Sequence, residues 1–161
     1  MAFSVIKIAR ILPVLILLAS GLSSADPAVP PVGQEEKISA DQLRKEQLQE
    51  TSPLVLDARG QNDFHAAHIE GAVLPLADEF YRQSELYRLQ IVNEAPDVDE
   101  SLKNYMQTIP KDTAIVTYCS KDCPAAAVLL FKLKELGFKN VRVMEEGIQA
   151  WIDKGYPVVL Q

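Results

Sequence analysis

Short apolar segments alternate with amphipathic ones along most of the chain, which predicts strands separated by helices. A Ser-x-x-Gln capping-box pattern predicts a helix over 40–49. The continuous apolar run 54–56 (LVL) is typical of a buried parallel strand. A helical turn over 63–67 and a second short strand over 72–76 complete the prediction for this half.

The second half of the chain repeats this alternation with stronger signals. Apolar residues at i, i+3 and i+4 (Leu102, Tyr105 and Met106) indicate a helix, and the run TAIVTY is rich in β-branched residues that favour strands. Gly137 stands where a helix would end. The predicted elements, in order, are helices over 80–92 and 99–108, a strand over 113–118, a helix over 125–136, a strand over 141–144 and a helix over 148–154.

Strands that alternate with helices indicate an α/β fold, with a mostly parallel sheet covered by helices on both faces. Binding sites in such folds form beyond the carboxyl ends of the strands. The connection from Ala77 to Asp112 spans 36 residues and contains no predicted strand. Because a strand-to-strand crossover needs fewer residues, we expect it to cover the site or to contact a partner.

The first 25 residues have the pattern of a secretory signal peptide. Lys7 and Arg10 precede the apolar run Ile11–Ala19, and small residues occupy the −3 and −1 positions before a cleavage site after Ala25. The alternative is an uncleaved anchor, but a membrane span needs about 20 apolar residues. The prediction is therefore cleavage, no stable membrane span afterwards, and a periplasmic or secreted protein.

Composition predicts one folded domain. Of the 161 residues, 48% are hydrophobic and 24% are charged, which argues against disorder and provides enough apolar surface for one core. Cleavage would leave 136 residues with 14 basic and 22 acidic side chains. Such an acidic chain is not expected to bind nucleic acid. The predicted organisation is a signal peptide over 1–25, a Pro-rich linker over 26–37 and one domain over 38–161.

Only two cysteines are present, Cys119 and Cys123, which are too few for a disulfide scaffold or a four-cysteine zinc site. Cys119 directly follows the most apolar predicted strand, about six residues before a predicted helix. The amides of such a loop and the partial positive charge of the helix start would lower the pKa of this thiol. Cys119 is therefore a candidate nucleophile, and the alternative is a buried, inert cysteine.

Several short motifs occur in a fixed order over roughly 38–158. The first half contains D-A-R at 57–59, D-F at 63–64 and H-I-E-G-A at 68–72. The second half contains V-T-Y-C at 116–119, G-F at 137–138, G-I-Q-A-W at 147–151 and G-Y-P-V at 155–158. Together they resemble the rhodanese (sulfurtransferase) family, whose G-H-I-x-G-A element has Ala67 in place of its first glycine here. The resemblance covers nearly all of the predicted domain.

The resemblance implies a doubly wound α/β domain with one catalytic cysteine and no metal or organic cofactor. Cys119 would take a sulfane sulfur from a small donor such as thiosulfate, hold it as a persulfide, and pass it to a thiol or to a cyanide-like acceptor. Backbone amides of the active-site loop would cradle the anionic sulfur. That loop comprises Ser120, Lys121, Asp122, Cys123, Pro124 and Ala125.

The loop departs from the family pattern C-x-x-G-x-R-S at three positions. Asp122 replaces the glycine, Pro124 the arginine and Ala125 the serine. Pro124 provides no amide donor, and the missing arginine removes a bidentate anion ligand. These changes argue against efficient thiosulfate chemistry and against the related cysteine phosphatases and arsenate reductases. Lys121 is the remaining loop cation and could partly compensate.

Cys123 has three interpretations at this stage. It could be a resolving or redox-active thiol that forms a disulfide with a modified Cys119, one half of a permanent disulfide, or a small residue that caps the helix. A three-residue spacer allows a bridge only if the loop brings the two Cα atoms into range. We weigh resolving or redox-active pairing slightly above the other two.

Three other groups of residues are considered for the site. Asp57 and Arg59 follow a strand, and we expect them to hold loops by hydrogen bonds rather than to take part in the reaction. His65 and His68 form an H-x-x-H pair that matches no recognised zinc pattern, so no metal site is predicted. Trp151 is expected to pack in the core.

Two classes of function are compatible with these observations. The first is an exported sulfurtransferase with Cys119 as the persulfide carrier. The second is a non-catalytic binding module of the same fold, or a thiol redox sensor that uses the Cys119/Cys123 pair. The sequence indicates no particular protein partner.

Overall fold

In a computed structural model of the chain, residues 30–76, 82–84, 86 and 88–160 are described. The predicted signal peptide lies outside the described residues. The helices are α1 (Ala40–Gln47), α2 (Gln61–Ala66), α3 (Val98–Tyr105), α4 (Ala125–Glu135) and α5 (Gly147–Asp153). The strands are β1 (Leu54–Asp57), β2 (His68–Ile69), β3 (Ala114–Tyr118), β4 (Asn140–Met144) and β5 (Val158–Val159). Within these ranges no helix has the length and hydrophobicity to cross a membrane.

The central sheet is parallel and has β3 in its middle. β1 and β4 pair with β3 on either side. Single parallel bridges extend both edges, Val73 beside Leu56 and Lys37 beside Val143. β2 and β5 form a separate antiparallel pair. The predicted α/β fold with a mostly parallel sheet is confirmed.

Helices cover both faces of the sheet, because successive strand residues point to opposite sides. One face packs with α3 and α4, and its buried strand residues are Leu56, Ile115, Val141 and Val143. The other face packs with α1 and α5, and its buried strand residues are Val55, Val116, Tyr118 and Met144. Burial on both sides explains why these strands are continuous apolar runs in the sequence.

Helix α1 begins with the predicted capping box. The amide of Gln42 donates to Ser39 Oγ at 3.2 Å, and the amide of Ser39 donates to Gln42 Oε1 at 3.1 Å. Near the other end of this helix, Arg142 of β4 donates to both carboxylate oxygens of Glu46, at 2.8 and 2.6 Å. The side-chain hydrogen bonds raise the pKa of Arg142 and lower that of Glu46. The pair therefore fastens α1 to the edge strand.

Some predicted elements differ in the structure. The strand predicted over 72–76 is only the bridge at Val73, because Pro75 has no amide to continue a ladder. Of the helix predicted over 80–92, residues 82–84, 86 and 88 are helical, 89–92 form turns and bends, and the rest lie outside the described residues. In the predicted linker, residues 34–36 form a short 3₁₀ turn before the bridge at Lys37.

Candidate functional site

Cys119 lies at the carboxyl end of the central strand β3, where the alternation of strands and helices predicts a site. It is 4% exposed, and α4 begins six residues later at Ala125. The intervening loop is a tight turn in which the amide of Cys123 donates to the carbonyl of Ser120 at 3.3 Å. The predicted strand–loop–helix element is therefore confirmed.

The two cysteines form a disulfide. Their Cα atoms are 6.0 Å apart, within the usual range for a bridge. The helix-capping interpretation of Cys123 is wrong, because Pro124 holds the position immediately before α4. A resolving or redox-active Cys123 and a permanent disulfide both agree with the bond in the structure. Cys119 can act as a nucleophile only after this bond is reduced.

Asp122 has a backbone conformation that L residues rarely adopt. Its φ is 59°, in the left-handed region that glycine enters without cost. Aspartate and asparagine tolerate this region better than most residues because their short polar side chains can form local hydrogen bonds. The turn can therefore keep its shape with an aspartate at the position where the resembled family has glycine.

A cavity of about 350 Å³ adjoins the disulfide. Both cysteines line it, and so do the acidic residues Asp122 and Glu145. Lys121, the expected compensating cation, is exposed and is absent from the lining. Glu145 is paired with Lys37, which lies outside the lining, so Asp122 is the lining carboxylate that disfavours a strongly anionic ligand.

The loop offers fewer amide donors to an anion than the resemblance implies. Of the six predicted cradle positions, Pro124 has no N–H, and the amide of Cys123 donates within the loop. The loop contains no arginine whose guanidinium could replace these donors. The loop therefore provides less hydrogen bonding for a bound oxyanion than for an uncharged ligand such as a thiol or a disulfide.

A turn after β4 supports the backbone of the cysteine loop. Gly147 has φ +70°, and a Cβ there would lie 2.5 Å from the amide nitrogen of Lys121. The next amide, of Ile148, donates to the carbonyl of Cys119 at 2.9 Å. Sequence reasoning did not assign this role, although the G-I-Q-A-W motif marks the position.

The same turn is tied to the N-terminal part of the domain. Lys37 pairs with Glu145 at 2.8 Å, and the amide of Ala40 donates to Glu146 Oε2 at 2.8 Å. The start of α1 is therefore linked through two glutamates to the turn that contacts the cysteine loop.

Asp57 and Arg59 lie in a buried network with Tyr118, the residue directly before Cys119. Arg59 donates from Nη2 to Asp57 Oδ2 at 2.6 Å and to the carbonyl of Ala67 at 2.5 Å. The hydroxyl of Tyr118 donates to Asp57 Oδ2 at 2.6 Å and accepts from the amide of Ile69 at 3.3 Å.

Charge and burial within this network shift two pKa values. Burial, and then the Asp57 carboxylate, raise the pKa of Tyr118. Burial opposes the charge on Arg59, but its hydrogen bonds and charge attraction to Asp57 outweigh that effect and raise its pKa. Asp57 and Arg59 line a second cavity of about 280 Å³ rather than the one at the disulfide. Their contacts are those of residues that hold loops.

The predicted core role of Trp151 is confirmed, and His68 has a structural role as well. Trp151 is fully buried and donates from Nε1 to the carbonyl of Pro157 at 2.9 Å. His68 is buried, stacks on Phe64, and lies with Nδ1 2.8 Å from the Phe64 carbonyl oxygen. Among the described residues, no group of three or more histidine, cysteine or acidic side chains could hold a metal ion.

Comparison with known proteins gives one family and several solved structures of similar fold. The rhodanese-like domain family matches residues 39–154. The comparison with curated protein sequences finds no match. One similar solved structure is a rhodanese-like domain from Anabaena sp., with 21% identity and a TM-score of 0.56 over 78% of this chain and 80% of that one. Another is a protein from Bacillus halodurans, with 19% identity and a TM-score of 0.57 over 78% of this chain and 77% of that one. A thiosulfate sulfurtransferase from Pseudomonas aeruginosa (18%; TM-score 0.52) covers 77% of this chain, which spans 20% of that protein.

Proposed function

The chain belongs to the rhodanese-like domain family, and on that premise we propose that it is a sulfurtransferase that moves sulfane sulfur through a persulfide on Cys119. One observation carries the proposal. Cys119 lies at the carboxyl end of the central strand and beside a cavity, in a loop that leads directly into helix α4. Family membership supports a relation to sulfurtransferases, and the step assigned to Cys119 is our inference.

The reaction begins after the disulfide is reduced. The Cys119 thiolate attacks the outer sulfur of the donor, a new S–S bond forms, and the remainder of the donor leaves with the electron pair of the broken bond. The acceptor, a thiol or a cyanide-like nucleophile, then takes the outer sulfur, and Cys119 leaves as a thiolate. Neither step requires a metal or an organic cofactor.

The charges around the cavity favour donors with little negative charge. Asp122 and Glu145 line the cavity, and Pro124 holds the position at which the family has arginine. Because Glu145 is paired with Lys37, the repulsion comes mainly from Asp122. A dianion such as thiosulfate would meet more of this repulsion than a singly charged organic thiosulfonate would. The expected donor class is therefore a sulfane compound of low charge.

A sulfur-transfer assay with two donors tests the proposal. Reduced protein is incubated with cyanide and either thiosulfate or an organic thiosulfonate, and thiocyanate is measured. We expect the thiosulfonate to react faster, and we expect Asp122→Asn to shift the ratio of the two rates toward thiosulfate, because it removes one carboxylate but still tolerates the left-handed backbone. Transfer by Cys119→Ser at the wild-type rate would contradict the assignment of Cys119.

The disulfide supports a second candidate function, a thiol redox sensor or a binding module without sulfur transfer. If the protein is a sensor, the reduced pair should oxidise under mild peroxide. In either case, no donor should add sulfur to the protein. A pair that stays reduced under peroxide would contradict the sensor.

We also propose that the protein is exported, since the sequence of residues 1–25 has the pattern of a cleaved signal peptide. Amino-terminal sequencing of the protein from the cells that produce it should then begin at Asp26. A sequence that begins at Met1 would contradict cleavage.

A further inference from the structure

The loop brings the second thiol into direct reach of the proposed sulfur carrier. Cys123 is bonded to Cys119 in the structure, with the Cα atoms 6.0 Å apart. The turn is closed by the hydrogen bond from Cys123 to Ser120 and by the left-handed conformation of Asp122. No movement of a helix or strand is therefore needed for the two sulfur atoms to react.

The two cysteines differ in their exposure. Cys119 is buried, whereas Cys123 is partly exposed and packs against the same hydrophobic cluster. Because its side chain is held beside Cys119 in this way, a reaction between the two is intramolecular and is favoured over attack by a dissolved thiol.

We propose that Cys123 is a resolving thiol that releases the sulfur carried by Cys119 as hydrogen sulfide. The inference rests on the proposed function, because it begins from the Cys119 persulfide. The Cys123 thiolate attacks Sγ of Cys119, and the Cys119–Cys123 bond forms. The bond from Cys119 Sγ to the outer sulfur breaks, and that sulfur leaves with the electron pair as hydrosulfide, which is in equilibrium with hydrogen sulfide. The Cys123 sulfur is oxidised to the disulfide level and the outer sulfur is reduced to sulfide.

A bond between the two cysteines is the product that attack on the inner sulfur would give. Attack on the outer sulfur would instead move the persulfide onto Cys123 and leave no bond between the two cysteines. The bond observed joins Cys123 to Cys119 itself. The disulfide therefore has the connectivity that the release step would leave, which is also the connectivity that direct oxidation of the two thiols leaves, and the sulfide measurement below separates the two routes.

The walls of the cavity favour departure of the leaving group. Hydrosulfide is an anion, and the side chains beside the disulfide include the carboxylates of Asp122 and Glu145. Lys121 is exposed and does not line this cavity. Glu145 is paired with Lys37, so the repulsion comes mainly from Asp122. Because no cationic side chain lines the cavity to retain the anion, it is expected to leave rather than to reverse the reaction.

A dithiol reductant completes the cycle. One of its thiols attacks the sulfur of Cys123, the more exposed of the two residues, and Cys119 leaves as a thiolate. The second thiol of the reductant then displaces Cys123, so that the reductant becomes a disulfide and both cysteines of the protein become thiols again. Each turnover therefore consumes one dithiol for each sulfur released.

A single-turnover experiment tests the inference. The full chain is reduced, freed of reductant, and treated with one equivalent of organic thiosulfonate, after which sulfide and intact protein mass are measured. The wild-type protein should release close to one equivalent of sulfide and end as the disulfide without added sulfur. Cys123→Ser and Cys123→Ala should each retain one extra sulfur atom and release at least tenfold less sulfide.

The outcomes separate the inference from the proposed function. A wild-type protein that keeps its extra sulfur would overturn the role of Cys123 and leave the role of Cys119 intact. Equal sulfide release by Cys123→Ser would overturn the inference in the same way. If neither the wild-type protein nor Cys123→Ser takes up sulfur, the proposed function itself fails.

Discussion

At the scale of single residues, Asp122 shows how this loop can keep its shape while its chemistry changes. The position requires φ near 59°, which aspartate tolerates better than most residues do. The substitution for glycine therefore retains the turn and adds a negative charge beside Cys119. Its side chain lines the cavity at the disulfide. The expected preference for donors of low charge follows mainly from this residue, because Glu145 is paired with Lys37.

The buried network of Asp57, Arg59 and Tyr118 gives a prediction about stability. Asp57→Ala should lower the free energy of unfolding by about 3–5 kcal/mol, because it leaves the Arg59 guanidinium largely buried without its partner. Tyr118→Phe removes the hydrogen bond that the hydroxyl donates to Asp57 and the one it accepts from the Ile69 amide, and should cost about 1.5–3 kcal/mol. Urea unfolding followed by circular dichroism measures both changes.

A double variant provides the control for that prediction. Asp57→Ala combined with Arg59→Met removes both charges and should recover part of the stability lost by Asp57→Ala alone. If Asp57→Ala costs no more than Tyr118→Phe, or if the double variant recovers nothing, then the ion pair is not the main contribution of Asp57.

At the scale of elements, the turn before α5 sets the position of the cysteine loop. A methyl group at Gly147 would collide with the backbone of Ser120 and Lys121. Gly155 has a similar φ of +68°, but a methyl group there would have no neighbouring atom within 4 Å. Alanine substitutions at the two glycines therefore separate two losses of stability, one from the left-handed backbone and one from the collision with the loop.

Alanine at each glycine tests this support. Gly155→Ala should lower the free energy of unfolding by about 1–2 kcal/mol through its backbone conformation alone. Gly147→Ala should cost about 1–3 kcal/mol more, because the loop must move. Only Gly147→Ala should change the rate at which a dithiol reduces the disulfide. Equal losses of stability and equal reduction rates would show that the turn does not position the loop.

The elements that sequence reasoning predicted well are those with a strong local pattern. β3 is rich in β-branched residues, and α1 has a capping box, so both are found close to their predicted bounds. The β2–β5 pair was missed, because each strand has two residues and their pairing joins distant parts of the chain. The contact of Gly147 with the loop was missed for the same reason, since it depends on how β3 and β4 align.

At the scale of the whole molecule, the site lies where a parallel sheet of this topology places it. The carboxyl end of β3 presents Cys119, the turn after β4 supports the loop, and α4 leads away from it. The sequence and the motifs predicted this location for Cys119, and the assignment of Cys119 as the nucleophile stays a prediction. They left open whether Cys123 bonds to Cys119, because that depends on the conformation of Asp122 within the turn.

The central claim is that Cys119 carries sulfane sulfur, and the mass of the peptide that contains it tests this most directly. Reduced Cys123→Ser protein is treated with an organic thiosulfonate, the remaining thiols are blocked, and the digest is analysed by mass spectrometry. The account predicts that the Cys119 peptide gains one sulfur atom, which a thiol reductant removes, and that Cys119→Ser gains none. A Cys119 peptide without added sulfur, or an equal gain in Cys119→Ser, would contradict it.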